Sequence, residues 1–476
     1  MDTHRPVQTH RPVGRDPHHT ERAEVNAGPA EPEPEARPEE FDLPRSRRAN
    51  ERLHALVPGG AHTYAKGDDQ YPEGLAPVIS HGRGAHVWDV DGNRYVEYGS
   101  GLRSVSLGHA HPRVTEAVRR ELDRGSNFVR PSVLEVEAAE RFLATVPTAE
   151  MVKFAKNGSD ATTAAVRLAR AATGRPRVAL CADHPFFSVD DWFIGTTPMS
   201  AGVPAATTDL TVAFPYGDLA ATEEMLARHR DGIACLILEP ATHTEPPPGY
   251  LAGLRELADR YGCVLVFDEM ITGFRWSEAG AQGLYGVVPD LSTFGKALGN
   301  GFAVSALAGR RALMERGGLR HSGDRVFLLS TTHGAETHSL AAAMAVQTTY
   351  VEEGVTARLH ALGERLAAGV REAAASAGVG DHVVVRGRAS NLVFATLDEG
   401  GRPSQEYRTL FLRRLLAGGV LAPSFVVSAA LSDADIAHTV DVVAQACAVY
   451  RKALDAGDPT PWLGGRPVQP VFRRRA

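Results

Sequence analysis

Between about residue 100 and residue 345 the chain alternates short, wholly apolar runs with segments of helical periodicity, and nothing else limits its architecture so strongly. Ala234–Leu238 (ACLIL) and Val264–Phe267 (VLVF) leave no face for water. A strand that is apolar on both faces must be covered on both, so these runs belong inside a mostly parallel sheet. Helical patterns such as Leu251–Tyr261 supply the cover, and the alternation predicts an α/β domain. Upstream, AHVWDVDGNRYVEY (85–98) alternates apolar and polar residues around Asp91-Gly92, which predicts a hairpin, since Asp-Gly supports the positive φ of a tight turn. Beyond about residue 346 the pattern becomes long helices (349–377, 404–417, 433–454) with short strands at 382–386 and 391–396. The expected organisation is an N-terminal segment (42–100), a large domain (101–345) and a smaller α+β domain (346–457).

Composition closes off other classes. The 476 residues are 43% hydrophobic and 23% charged, enough apolar mass for a large core, and a wholly disordered, collagen-like or coiled-coil chain is excluded. Lys and Arg number 51 against 57 Asp and Glu, so no excess of positive charge points to nucleic acid. Cys181, Cys235, Cys263 and Cys447 are widely spaced and form no CxxC pair. Buried thiols in a reducing, cytoplasmic compartment fit them better than a disulfide framework or a zinc ribbon. No stretch approaches the roughly 18 apolar residues of a membrane span, and the N-terminus has no apolar signal core. Residues 1–41 read as a disordered tail: between Asp2 and Glu40 there is no Leu, Ile, Phe, Trp or Tyr. In this reading His4, His10, His18 and His19 are solvated tail residues, and no metal is expected. Residues 458–476 read as a Pro/Gly-rich basic tail.

Three segments carry chemistry. In Val264–Glu269 (VLVFDE) an apolar run meets an acid pair, at the end of a parallel strand where ligands bind. Asp268 there would be partly buried and in need of a cation. Alone, such a junction also suits nucleotide, metal and phosphoryl sites, or a plain structural acid. Lys296 lies in STFGKALGNG (292–301), 28 residues after Asp268, among Gly295, Gly299 and Gly301. An isolated lysine in such a loop is ordinarily a surface group; a desolvated one has a lowered pKa and can form a Schiff base. In Lys156–Arg170 (KNGSDATTAAVRLAR) a Gly-Ser step opens an Ala-rich helix that Ser159 or Asp160 can cap. Its free N–H groups and the positive end of its dipole would face an anion, although an ordinary N-cap looks the same. Together the segments offer a phosphate seat, a buried carboxylate and an activated lysine, the three things pyridoxal phosphate needs.

The motifs, taken in order, resemble a known family. They are PGG (58–60), WDVDGNRYVEY (88–98), LGHAHP (107–112), KNGSDATTAAVRLARAATGR (156–175), LEP (238–240), FDEMITGFR (267–275) and FGKALGNG (294–301). From about Arg52 to Leu454 the chain resembles the class III, fold-type I pyridoxal-phosphate aminotransferases, most closely the branch similar to glutamate-1-semialdehyde 2,1-aminomutase. The resemblance implies a large, mostly parallel-sheet α/β domain and a smaller α+β domain built from N- and C-terminal segments. It implies pyridoxal 5′-phosphate as cofactor and a homodimer with active sites at the interface. By the same resemblance Lys296 is the Schiff-base lysine and proton shuttle, and Asp268 keeps the pyridine nitrogen protonated. Gly158 and Ser159 match phosphate ligands. Thr332, with Thr331 as its competitor, matches a threonine that reaches the phosphate across the dimer interface. Glu239 of LEP matches an acid near the cofactor, or a buried acid that holds loops together.

Departures from the family pattern bear on substrate. Phe186-Phe187-Ser188 stands where the family has Tyr-His-Gly; aligned on Asp191-Trp192, Phe186 falls at the aromatic that covers the pyridine ring, without a hydroxyl. The other reading makes both Phe residues core. The aminomutase grips its substrate carboxylate with an arginine a few residues after PGG; the same count lands here on Lys66, which lacks the bidentate fork. Asp68 and Asp69 follow at once. Acids at a substrate mouth favour a cationic substrate, whereas acids in an exposed turn do nothing. The expected activity is amino transfer from an amino-acid donor, glutamate foremost, to an aldehyde or ketone acceptor. Lys66, Asp68 and Asp69 suggest a 6′-oxo amino sugar of an aminoglycoside antibiotic pathway as that acceptor. The alternatives are intramolecular transfer of the aminomutase type, and a racemase or epimerase on the same cofactor. The lack of a strand-linked GxGxxG speaks against a dehydrogenase.

Overall fold

The computed structural model describes residues 41–184 and 186–473. The expected disordered tail, apart from Phe41, and residues 474–476 of the basic tail lie outside the described residues.

Seven strands form the central sheet: β1 Met151–Ala155, β2 Arg177–Cys181, β3 Thr211–Phe214, β4 Ile233–Leu238, β5 Val264–Asp268, β6 Leu291–Phe294 and β7 Ser305–Gly309. Their order is β1-β7-β6-β5-β4-β2-β3. Every pairing from β6 across to β3 is parallel, and β7 runs antiparallel to both β1 and β6. Successive side chains of a strand point to opposite faces, and the two faces of β4 and β5 are filled accordingly. Cys235, Ile237, Val264 and Val266 pack with the Ala-rich helix Gly158–Thr173, which presents Ala161, Ala164, Ala165 and Leu168. Leu236, Leu238, Leu265 and Phe267 pack with Leu251, Leu254, Leu257 and Ala258 of the helix Tyr250–Tyr261. Both strands are buried along their whole length, as their uninterrupted apolar runs require.

The smaller layer joins the two ends of the chain. Ile79–Arg83, His86–Asp89 and Arg94–Glu97 form an antiparallel ribbon, and Val420–Leu421 adds to it in parallel beside Val96 and Glu97. The hairpin lies where the alternation predicts it, but its loop is four residues long. The buried Asp89 carboxylate fixes that loop, accepting from the backbone N–H of Asp91 (3.0 Å) and Asn93 (2.8 Å), from Asn93 Nδ2 (2.9 Å) and from the Tyr95 hydroxyl (2.7 Å). Gly92 takes the positive φ, at +92°. The helical pattern over 349–377 resolves into two helices, Thr337–Glu353 and Val355–Ser376, because Gly354 adopts φ +60° and ends the first. Among the described residues no helix is long and apolar enough to cross a membrane.

Candidate functional site

The carboxyl ends of three adjacent parallel strands meet here. Asp268 is the last residue of β5, Glu239 follows β4 directly, and Lys296 follows β6 by two residues. Lys296 opens a short 3-10 turn, Lys296–Gly299, at φ +47°, a conformation that L-residues adopt at a cost. Met270 is the common neighbour of the three motifs. A Cβ on Gly158 would lie 3.1 Å from its Sδ, and one on Gly295 only 2.7 Å. Glycine is therefore what lets the helix N-terminus and the lysine turn both close on the strand that carries Asp268.

The charges are few and buried. Asp268 is 2% exposed, and both of its hydrogen bonds, from Met270 N (3.0 Å) and Thr293 Oγ1 (3.1 Å), land on Oδ1. Burial raises its pKa, against the pull of Lys296 and of those two donors. Next to it in sequence, the equally buried Glu269 spends both oxygens on Thr272, Ala281 N and Gln282 N and serves the loop alone. Burial, with Asp268 adding, pushes Glu239 up to about 7, while Lys296 and Arg103 pull it down. Lys296 is half-buried and makes no hydrogen bond or ion pair among the described residues. Burial lowers its pKa; the carboxylates of Asp268 and Glu239 resist, and Arg103 and Arg275 add to the lowering.

The helix Gly158–Thr173 is capped by Asn157, not by Ser159 or Asp160. Asn157 is the N-cap, and Asp160, at the third helical position, closes the box by accepting from Asn157 N at 2.9 Å. Capping from Asn157, two residues before Ser159, leaves the N–H groups of Gly158 and Ser159 without an intrahelical acceptor. Ser159 Oγ accepts from Val189 N at 3.0 Å and ties this end to the Phe186–Val189 segment. Of the two phenylalanines there, Phe187 is core at 2% exposure, whereas Phe186 is 43% exposed and stands edge-on to Phe193. Thr332 is exposed in the single chain, and its carbonyl accepts from Asn127 Nδ2 at 3.1 Å.

The Tyr64–Gln70 segment is differently placed. Lys66 is exposed and makes no hydrogen bond or ion pair among the described residues. Asp68 pairs with His54 Nε2 at 3.0 Å, and Asp69 with Arg473 Nη2 at 2.6 Å. No hydrogen bond or ion pair joins Lys66, Asp68 or Asp69 to Glu239, Asp268 or Lys296 among the described residues.

Sequence reasoning missed three site residues. His184, 6% exposed, accepts from Glu239 N at 3.0 Å through Nδ1. Burial pushes its pKa down to about 4, so the ring is neutral at pH 7 with its proton on Nε2. Arg275 is fully buried and donates to the carbonyl of Arg103 (Nη2, 2.6 Å). Arg103 ends a run of four left-handed residues: Ser100 (φ +47°), Gly101 (+56°), Leu102 (+60°) and Arg103 (+70°). Three of them are not glycine, and each costs roughly 1–2 kcal/mol in that conformation. Such strain is held only where the surroundings over-determine it, and it clusters at functional sites. Pattern reading has no signal for it, since SGLR is an unremarkable tetrapeptide.

Known proteins are similar to this one over most of the chain. Residues 70–425 match the family described as Aminotransferase class-III. Glutamate-1-semialdehyde 2,1-aminomutase of Desulfitobacterium hafniense is 34% identical over 424 residues, covering 84% of this chain and 97% of that one. Among solved structures, an omega-transaminase from Sphaerobacter thermophilus superposes with a TM-score of 0.77 at 28% identity, over 86% of this chain and 98% of that one. The FumI protein of Sphingopyxis sp. MTA144, solved in its PLP internal aldimine form, gives a TM-score of 0.79 at 25% identity, over 88% and 100%.

Proposed function

The chain belongs to the class-III aminotransferase family, and from that premise we propose that it moves an amino group from an amino-acid donor, glutamate foremost, to an aldehyde or ketone acceptor. Its fold is that of the fold-type I transferases, and its cofactor is pyridoxal 5′-phosphate. The residues at the strand ends fit that group. Asp268 keeps Oδ2 clear of the hydrogen bonds on Oδ1, Lys296 has an unengaged amine, and the helix at Gly158 and Ser159 has two N–H groups to spare. In this reading Asp268 Oδ2 holds a proton on the ring nitrogen. Gly158 and Ser159 would take the phosphate, joined across a homodimer interface by Thr332. Phe186 would cover the ring, and Glu239 would stand near it. Bound there, the cofactor supplies an aldehyde carbon that takes up the amine and a ring that accepts an electron pair.

The chain's own residues supply the rest. Burial lowers the pKa of Lys296, so Nζ would serve as the base that takes the proton from the donor's α-carbon and, once protonated, as the acid that delivers it to the cofactor's former aldehyde carbon. Lys296 works against the burial that raises the Asp268 pKa, and a protonated ring nitrogen would favour the ionised carboxylate in the same way. Glu239, near 7, and neutral His184 keep the local charge low at working pH. The observation that carries the reading is the meeting of Asp268, Glu239 and Lys296 on adjacent strand ends, with Met270 bridging to Gly158.

An amino-sugar acceptor rests on Lys66, Asp68 and Asp69. Because Arg473 pairs with Asp69 and His54 hydrogen-bonds Asp68, both acids already have partners, and we carry the acceptor as an aldehyde or ketone. The 34% identity to an aminomutase favours one second reading, intramolecular amino transfer. A donor–acceptor screen by mass spectrometry on the purified holoenzyme separates them. Transfer requires an added donor and releases its keto acid; the aminomutase reaction does neither.

A further inference from the structure

We propose that Arg103 is the carboxylate anchor of this enzyme: the strained Ser100–Arg103 turn presents the Nη edge of its guanidinium beside Lys296 and Glu239 to hold the carboxylate of the amino-acid donor. The proposal rests on the aminotransferase reading and names the group that recognises its donor.

Four observations lead there. The turn is held from every side: Ser100 Oγ donates to Val426 O (3.2 Å), Arg103 N to Gly99 O (3.0 Å), Ser104 Oγ to Gly101 O (2.7 Å), and Arg275 Nη2 to Arg103 O (2.6 Å). Four left-handed residues in a row are maintained, and what they fix is the direction of one side chain. That side chain is itself oriented, because Arg103 Nε donates to Asn391 Oδ1 at 2.9 Å. With Nε used, Nη1 and Nη2 remain, and they make no hydrogen bond or ion pair among the described residues. Two parallel N–H groups at the free end of a guanidinium match the two oxygens of a carboxylate.

The electrostatics point the same way. Arg103, Arg275 and Lys296 act on one another, and the carboxylates of Asp268 and Glu239 act on Lys296 with them. Neither arginine forms an ion pair among the described residues. Arg275 is not the carboxylate's seat: the side chain is fully buried and is committed to Arg103 O and Ser390 O. Arg103 is only partly covered. Lys66, the position to which the PGG count leads, is exposed and makes no hydrogen bond or ion pair among the described residues.

The test uses the holoenzyme with L-glutamate and with its α-carboxamide, which keeps the amine and removes the charge. Wild type favours glutamate. Arg103→Met lowers kcat/KM for glutamate about 10–100-fold while leaving the α-carboxamide within about threefold, and Arg103→Lys falls between the two. Glutarate, which has carboxylates and no amine, binds wild type and binds Arg103→Met at least about tenfold more weakly by calorimetry. An unchanged glutamate-to-amide ratio in Arg103→Met, with wild-type melting temperature, overturns the proposal. A wild-type ratio near one overturns it with no variant at all. A holoenzyme that transfers no amine from any donor defeats the reading of the function instead; unchanged glutarate binding in Arg103→Met defeats the anchor alone.

Discussion

The strand-end cluster and the Tyr64–Gln70 segment both carry charges that the sequence marked as functional, and the molecule treats them in opposite ways. At the strand ends Asp268, Glu239 and Lys296 are desolvated, few in hydrogen bonds and electrostatically dependent on one another. In the segment Asp68 and Asp69 are partly exposed and satisfied by His54 and Arg473. A charge kept from water without a full set of partners is costly, so it persists where a ligand completes it. A charge already paired at the surface is worth little to stability and has little left to offer a substrate. Adjacent residues make the same point within one strand end: Glu269 is saturated by three donors, and Asp268 is not.

The contrast breaks first at Lys296. Lys296→Ala is expected to abolish the near-visible absorbance of the bound cofactor and to cut turnover on the order of 10⁴-fold or more; a variant that keeps both would remove Lys296 from the site. Asp268→Asn should fold normally, retain cofactor and lose on the order of 10²–10³-fold in kcat. Glu269→Gln should do the reverse, keeping most turnover per folded molecule while its melting temperature drops, since one amide cannot accept from three donors. Equal effects of the two changes on rate would erase the distinction between the neighbours.

A pH series sharpens the comparison further. Glu239 is raised from 4.5 to about 7 by burial. A carboxyl with a raised folded pKa binds its proton more tightly when folded, so its contribution is fully present below about pH 4.5 and fades as pH rises through 7. Melting curves should therefore show wild type losing stability relative to Glu239→Gln between pH 5 and pH 8, by on the order of 3 kcal/mol. A difference that stays constant with pH would mean that the carboxyl is ionised throughout. The smallest effects belong to the segment. Lys66→Ala and Asp69→Asn should each change kcat/KM by less than about threefold and stability by about 0.5 kcal/mol or less. A larger and donor-dependent change in steady-state kinetics would bring Lys66 into the substrate site.

Much of this protein can be read locally. The apolar runs of β4 and β5 need cover on both faces and have it. The Asp91-Gly92 signal finds its hairpin, although the loop is longer, with Asp89 gathering three donors from the loop and the Tyr95 hydroxyl from the following strand. The helix begins at the Gly-Ser step as expected, but the cap falls two residues before Ser159, since Asn at the N-cap with an acid three residues on satisfies the box better than Ser159 could from within the helix. Burial of Phe187 and exposure of Phe186 could not be separated by type alone.

The amino-acid sequence alone determined the sheet-and-helix plan and the residue types at the strand ends, because periodicity and chain punctuation are properties of neighbours along the backbone. Tertiary structure alone decided that Asp69 meets Arg473 and that the left-handed turn at Ser100–Arg103 ties the Arg103 guanidinium to Asn391. Those outcomes depend on contacts between segments far apart in the chain, whose burial and pairing energies exist only once the core has closed.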